Sequence, residues 1–150
     1  MAQSNQIVTP YICCRDAARA LEFYMQAFGA REVVRYTEKD GRRIGHAEIE
    51  IGGMQIMLSD EYPEIGVFSP EKYGGTPVSL RLAVLDVDSI AARAAKAGAT
   101  IERPPQDEPY GDRSCWLRDP FGHRWALATH VEEVSKEELR RRMGDSFLID

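Results

Sequence analysis

The chain has little of what would place it in several large protein classes. No run of residues approaches the roughly 20 consecutive apolar positions that span a bilayer. The first residues, Met1-Ala2-Gln3-Ser4-Asn5-Gln6, lack the basic and apolar segments of a secretory leader. The expected location is the cytoplasm, with no membrane partner. Basic residues are not in surplus: 19 Lys and Arg stand against 24 Asp and Glu, a net charge of −5, with the two signs interspersed. A nucleic-acid partner, which needs a basic surface to neutralise phosphates, is not expected. Cysteine is scarce. Cys13, Cys14 and Cys115 match no paired zinc spacing, and an odd count makes a poor disulfide framework, so they read as small buried residues. What the chain does have is apolar content, 43% over 150 residues, enough for the core of one compact domain or of two small modules.

Its organisation is a repeat. Gly29 and Gly98 are 69 positions apart, as are Gly53 and Gly122, while Thr9 and Ser79 are 70 apart. Each half reads strand, helix, small-residue break, strand, hairpin. The first helix is predicted to start at the N-cap Asp16, to carry Ala17, Ala20, Leu21, Tyr24, Met25 and Phe28 on one face, and to stop at Gly29. The second repeats this from Asp88 to Gly98. A third is opened by the capping box Ser135-Lys136-Glu137-Glu138 and runs to Met143. The expected layout is one domain: module one over about 7–60, a linker or lid over about 60–77 with Tyr62, Phe68 and Tyr73, module two over about 78–130, and a C-terminal helix over about 135–143.

Strand parity sorts the side chains. A two-residue turn at Gly52-Gly53 pairs Ile51 with Met54, Glu50 with Gln55, Ile49 with Ile56, Glu48 with Met57 and His46 with Ser59. Ala47, Ile49, Ile51, Met54, Ile56 and Leu58 then face a helix. His46, Glu48, Glu50, Gln55, Met57 and Ser59 face away, either to solvent or into a cavity. Thr9, Tyr11 and Cys13 share one side of the first strand; Ser79, Arg81 and Ala83 share one side of its counterpart. If Asp119 to Gly122 is a four-residue turn, Arg113, Cys115, Leu117, Arg124 and Ala126 share one face, and Trp116, Trp125 and Leu127 share the helix-packing face.

These residues resemble the vicinal oxygen chelate superfamily, the glyoxalase/bleomycin resistance/dioxygenase fold, over roughly 7–143. Thr9-Pro10-Tyr11, Glu22-Phe23-Tyr24 before Phe28-Gly29-Ala30, His46-Ala47-Glu48, Tyr110-Gly111-Asp112-Arg113 and Asp119-Pro120-Phe121-Gly122-His123 with Trp125 are similar to its PhnB-like branch. The resemblance implies an α+β fold of two βαβββ modules forming curved mixed sheets with helices outside, a concave pocket, and a homodimer. It also implies that metal-dependent relatives hold their ion at positions matching Thr9, Met57, Ser79 and Ala126. None of these is a carboxylate or imidazole, so no metal and no cofactor is expected. A displaced ion on His46, Glu48 and Glu50 needs help from other strands, because residues two apart on a strand are about 6.6 Å apart.

Two readings of function follow, from different classes. One is a metal-free protein of the bleomycin-resistance type that sequesters a small organic molecule, drug or metabolite, with Tyr11, Glu50, Gln55, Met57, Arg81 and Arg113 as ligand-binding residues. The other is a lyase, isomerase or glyoxalase-like enzyme using His46 and Glu48 in proton transfer, or a displaced divalent metal. Arg113 either clamps an anion or ties down its own turn through Asp112. Arg140-Arg141-Arg142 reads as a solvated helix end complementing the dipole rather than an interaction surface.

Overall fold

The computed structural model describes residues 5–150. Within it the chain divides into two compact units, Met1–Thr76 and Pro77–Asp150. Each is a four-stranded mixed sheet with a helix on one face, which makes the fold α+β.

The first unit contains β1 (Tyr11–Cys13), α1 (Ala17–Phe28), β2 (Arg31–Thr37), β3 (Ile44–Ile51) and β4 (Met54–Ser59), with sheet order β1-β4-β3-β2. Strand β1 lies parallel to β4 and the other pairings are antiparallel. The Asp16 carboxylate caps α1 through the Arg19 N–H at 3.1 Å, and Gly29 ends it in the left-handed conformation at φ 68°. Gly52 and Gly53, both at positive φ, make the two-residue turn, and every expected pair from Ile51–Met54 to Glu48–Met57 is present. His46 does not pair with Ser59. A bulge at Gly45 shifts β3 against β2 there, placing Tyr36 opposite His46 and Thr37 opposite Ile44. Ala47, Ile49, Ile51, Ile56 and Leu58 are buried beneath α1, whereas Met54, beside the turn, is 61% exposed. Residues 60–77 fold as two short 3₁₀ turns, Pro63–Ile65 and Pro70–Tyr73, almost wholly within the first unit.

The second unit contains β5 (Ser79–Ala83), α2 (Val87–Lys96), β6 (Thr100–Asp107), β7 (Asp112–Arg118), β8 (Arg124–His130) and α3 (Lys136–Met143), with order β5-β8-β7-β6. Helix α2 starts two residues earlier than expected. Its N-cap is Asp86, which accepts from the Ser89 N–H at 3.1 Å, and this frees Asp88 for Arg113. Pro104 and Pro105 sit in β6, an edge strand, where a missing N–H costs least. As the capping box predicts, Ser135 caps α3, accepting from the Glu138 N–H at 3.1 Å.

The second hairpin corrects the expected register. Arg118 pairs with Arg124, Leu117 with Trp125 and Trp116 with Ala126, so five residues, not four, lie in the loop. The Asp119 carboxylate organises it: buried, it accepts from the N–H groups of Phe121 (2.9 Å) and His123 (3.0 Å) and from Trp125 Nε1 (2.9 Å). One extra residue reverses the parity of one strand against the other. Cys115, Leu117, Trp125 and Leu127 therefore form the core under α2, while Trp116 moves to the opposite face with Ser114, Arg124 and Ala126.

Candidate functional site

The face of the first sheet opposite α1 carries the clearest chemistry. Parallel pairing puts Tyr11 level with Met57, and the hairpin puts Met57 opposite Glu48. His46, next to the bulge at Gly45, reaches Tyr11 and Glu48. The Tyr11 hydroxyl lies 2.9 Å from His46 Nδ1, His46 Nε2 lies 3.1 Å from Glu48 Oε1, and Gln55 Nε2 donates to Glu48 Oε2 at 2.6 Å. A carboxylate only accepts, so Nε2 carries the imidazole proton and Nδ1 accepts the phenolic one. Burial pushes the Tyr11 phenol up, against an opposing hydrogen bond from Ser59, which keeps the hydroxyl protonated as this donor. The His46 and Glu48 side chains are each 22% exposed.

Two aromatic rings hold the imidazole. Tyr11 meets it edge-on, with centroids 5.5 Å apart, and Tyr36 covers it at 5.4 Å with a 37° tilt. Tyr36 has no counterpart among the expected site residues. It sits past a second register shift in β2, between Glu32 and Val34, and simple alternation from Arg31 does not find it.

Beside Tyr11 is a cavity of about 360 Å³, lined by Tyr11, Cys13, Ser59, Tyr62, Ile65 and Val67 along with Ile12 and Gly45. Gly45 has a steric role here: a Cβ on it would come within 3.1 Å of the Tyr62 hydroxyl. Tyr62 is anchored by donating to Glu38 at 3.0 Å and by the Arg43 guanidinium 3.9 Å above its ring. Of the three aromatics expected in a lid, only Tyr62 lines this cavity; Phe68 and Tyr73 pack on each other. A larger hollow of about 540 Å³ near the start of α1 is lined by Arg15, Arg35, Arg43, Asp16 and Asp60 among others. Its charges are spent on structure. Arg35 is bound to Glu32, Arg43 to Glu38 and Glu64, and Asp60 accepts from the Ala17 and Ile44 N–H groups at 2.7 and 2.6 Å.

The remaining expected ligand contacts separate. Glu50 pairs with Arg31 at 2.8 Å near the rim, away from His46. Among the described residues no three His, Cys, Asp or Glu side chains form a group that could hold a metal ion. The positions that the family resemblance assigns to a metal, Thr9 and Met57 in the first unit and Ser79 and Ala126 in the second, offer two hydroxyls, a thioether and a methyl, and none is the carboxylate or imidazole that suits a divalent Lewis acid. Arg81 lies on the open face of the second sheet, where its Nη2 donates to Asp112 at 2.8 Å. Arg113 lies on the helix side, not with the ligand face, and it does not tie down its turn through Asp112: it grips Asp88 on α2 at 2.7 and 2.9 Å and Asp107 at 3.1 Å. A guanidinium bound by two carboxylates there serves packing.

The second sheet's open face also holds Trp116 and Arg124, which the four-residue turn had misplaced relative to each other. The Arg124 guanidinium lies 4.3 Å from the Trp116 ring centroid. Arg103 donates to Ser114 at 2.6 Å, and Arg118 to Glu102 at 3.0 Å.

Comparison with known proteins agrees with this architecture. The family model described as Glyoxalase/Bleomycin resistance protein/Dioxygenase superfamily matches residues 4–127. An uncharacterized protein of Mycobacterium bovis is 40% identical over 140 residues, 91% of each chain. Among solved structures, TioX from Micromonospora sp. ML1 is 28% identical with a TM-score of 0.65, over 85% of this chain and all (100%) of that one. The fosfomycin resistance protein FosX from Mesorhizobium loti is 21% identical with a TM-score of 0.60, over 86% and 93%, and shares the fold. A PhnB protein from Bacillus cereus does so at 21% identity and a TM-score of 0.65, over 83% and 99%.

Proposed function

We propose, for a chain that belongs to the Glyoxalase/Bleomycin resistance protein/Dioxygenase superfamily, that it binds a small organic molecule on the open face of its first sheet without a metal ion. The observation that carries this reading is the hydrogen-bonded chain Tyr11–His46–Glu48–Gln55 beside a largely apolar cavity of about 360 Å³. That volume is at the lower end of those that enclose drug-sized ligands. The apolar wall of Tyr62, Ile65 and Val67 would take the body of the molecule, and Tyr11 and Ser59 would fix its orientation. Sequestration of a drug or metabolite is the activity assigned, in the sense that the family description names bleomycin resistance and FosX is named for fosfomycin resistance. By the same family resemblance the working form is a homodimer, which sedimentation at micromolar concentration checks.

Cys13 supplies the readout. It lines the cavity, half-buried, whereas Cys14 and Cys115 are fully buried. Burial, then the nearby Glu61 and Asp60 charges, push its thiol up to about 11. Below that pH the thiol is neutral, so alkylation is slow at pH 7 and accelerates about tenfold per pH unit up to pH 10, because only the thiolate reacts. A bound ligand should protect Cys13 at fixed pH and move the Met57 methyl resonance. A broad panel of metabolites and antibiotics in which no compound does either would overturn the assignment.

A second reading rests on the same hydrogen-bonded chain. A carboxylate, an imidazole and a phenol in series can move a proton: His46 Nδ1 accepts the Tyr11 proton as the phenol oxygen takes one from a substrate carbon, and the reverse transfer delivers it to another position. An isomerase or lyase would work this way. Tyr11→Phe then abolishes turnover while ligand protection of Cys13 persists; Glu48→Gln with full turnover removes the proposed relay.

A further inference from the structure

The segment after β4 makes a loop with fixed feet and a loosely held tip. At one foot Asp60 accepts from the Ala17 and Ile44 N–H groups, and its own N–H donates to the Ile44 carbonyl at 2.9 Å. At the other, Ser69 and Pro70 are buried. The Glu61 carboxylate accepts from the Ser69 N–H at 2.8 Å and ties the feet together. Between them Tyr62 and Val67 exchange backbone hydrogen bonds at 2.9 and 3.0 Å, which makes residues 62–67 a small unit of their own. Residues 63–66 at its tip are all exposed. Little apolar burial holds them, so the tip belongs to the part of the unit that opens at least cost.

One side chain clasps this tip. Arg43, at the end of the turn between β2 and β3, spends its guanidinium on three partners. Its Nε and Nη2 donate to the Glu38 carboxylate at 3.3 and 3.1 Å, Nη1 meets Glu64 at 2.8 Å, and its flat face covers the Tyr62 ring at 3.9 Å. Glu38 completes the clasp by accepting from the Tyr62 hydroxyl at 3.0 Å. The turn that carries both is itself closed, the Glu38 N–H donating to the Arg43 carbonyl at 2.8 Å. Tyr62, Ile65 and Val67 wall the cavity that Cys13 also lines. Beneath them Gly45 leaves room: a Cβ there would stand 3.1 Å from the Tyr62 hydroxyl, so a side chain at that position pushes Tyr62 outward.

We propose that residues 62–67 are a hinged strap over this cavity, with Arg43 as the latch that keeps it shut. The feet at Asp60–Glu61 and Ser69 act as hinges, and release of Arg43 frees Tyr62 and Val67 to swing outward together. Entry to the cavity is then set by an ionic clasp rather than by the apolar wall. Salt loosens the clasp, because Arg43, Glu38 and Glu64 are all partly in solvent. The biological use of the strap rests on the reading of this cavity as the ligand site, whereas its motion is measured without a ligand.

Cys13 reports that motion. The protein is alkylated with iodoacetamide, which is small, and with N-(1-pyrenyl)maleimide, which needs an open strap; fragment mass spectrometry separates Cys13 from its neighbour Cys14. Taking the ratio of the bulky to the small reagent's rate cancels the thiolate fraction, which is common to both. Arg43→Gln should raise this ratio about fivefold, the factor that an exposed ion pair at the upper end of its range supplies. Gly45→Ala should raise it too, by prying at Tyr62 from the sheet side. Arg43→Lys, which keeps a charge, should fall between Arg43→Gln and wild type. Raising sodium chloride from about 0.1 to about 1 M should increase the ratio in wild type and not in Arg43→Gln. Cys14 and Cys115, fully buried, should stay unlabelled throughout. An unchanged ratio in both Arg43→Gln and Gly45→Ala, a salt effect that survives Arg43→Gln, or labelling of Cys14 and Cys115 in step with Cys13 would each overturn the latch. A strap that opens as expected while no compound protects Cys13 supports the latch and sinks only the ligand reading.

Discussion

The two sheets place opposite chemistry at matching positions. Read across the strands, one row in the first unit is Tyr11, Met57, Glu48 and Val34; the corresponding row in the second is Arg81, Ala126, Trp116 and Arg103. The backbone register is the same in both, with Tyr11 level with Met57 and Arg81 level with Ala126. Under the helices both units bury aliphatic side chains, because a sheet face covered by a helix tolerates little else. The open faces carry no such restriction. One holds a phenol, an imidazole and a carboxylate in series, and the other holds guanidinium groups about an indole. The comparison teaches that the repeat preserves the scaffold and leaves each open face free to specialise.

The largest expected break in the comparison lies at Gly41 and Gly111, which occupy equivalent turns before β3 and β7. Both have positive φ, 75° and 98°. A Cβ at Gly41 meets nothing within 4 Å, whereas one at Gly111 would run into the Glu132 carbonyl oxygen, because residues 131–132 fold back and donate to the Gly111 carbonyl at 2.9 and 3.1 Å. Gly111→Ala should therefore cost about 3 kcal/mol or more and Gly41→Ala about 1 kcal/mol in urea denaturation. Equal losses would mean that the 131–132 strap yields freely.

Next in size is the contrast between the tryptophans. Trp125→Phe removes the donor to buried Asp119 and leaves a gap in the core, an expected loss of about 2–3 kcal/mol. Trp116→Phe, on the open face, should cost under about 1 kcal/mol. Thermal melts of both proteins check the order, and a reversed order would return Trp116 to the helix side.

The smallest effect concerns His130, which the second unit alone carries at the end of its last strand. Hydrogen bonds that its ring donates to Asp112, then to Glu133, raise its pKa. A raised folded-state pKa stabilises the fold fully below the unfolded value of about 6.5 and loses that contribution as pH rises through the folded value. His130→Gln should lower the melting temperature slightly at pH 5 and leave it unchanged at pH 9. An equal shift at both would assign the residue a packing role instead.

Much of this was legible in the chain. The 69-residue spacing, the Asp16 and Ser135 caps and the pairing of the first hairpin from Ile51–Met54 to Glu48–Met57 follow from local rules, since a two-residue glycine turn leaves one register open. The second hairpin shows where such rules stop. Asp119 to Gly122 reads as a four-residue turn, but the Asp119 N–H closes on the His123 carbonyl at 2.9 Å and adds a fifth residue. Strand side chains alternate with a period of two, so this single residue moved Trp116 from the core to the open face. The bulge at Gly45 does less: His46 stays on the face with Glu48, as strand alternation predicts, but it is not paired with Ser59.

By itself the sequence determined the repeat, the ends of α1, the start of α3 and most of the apolar strand residues that lie beneath a helix, because each of these depends on neighbours within a few positions. Only the tertiary structure decided that Tyr11 reaches His46, 35 residues away, that Tyr36 covers the same imidazole, and that Arg124 rests on Trp116. Those neighbours are set by register between strands, and a shift of one residue exchanges every one of them.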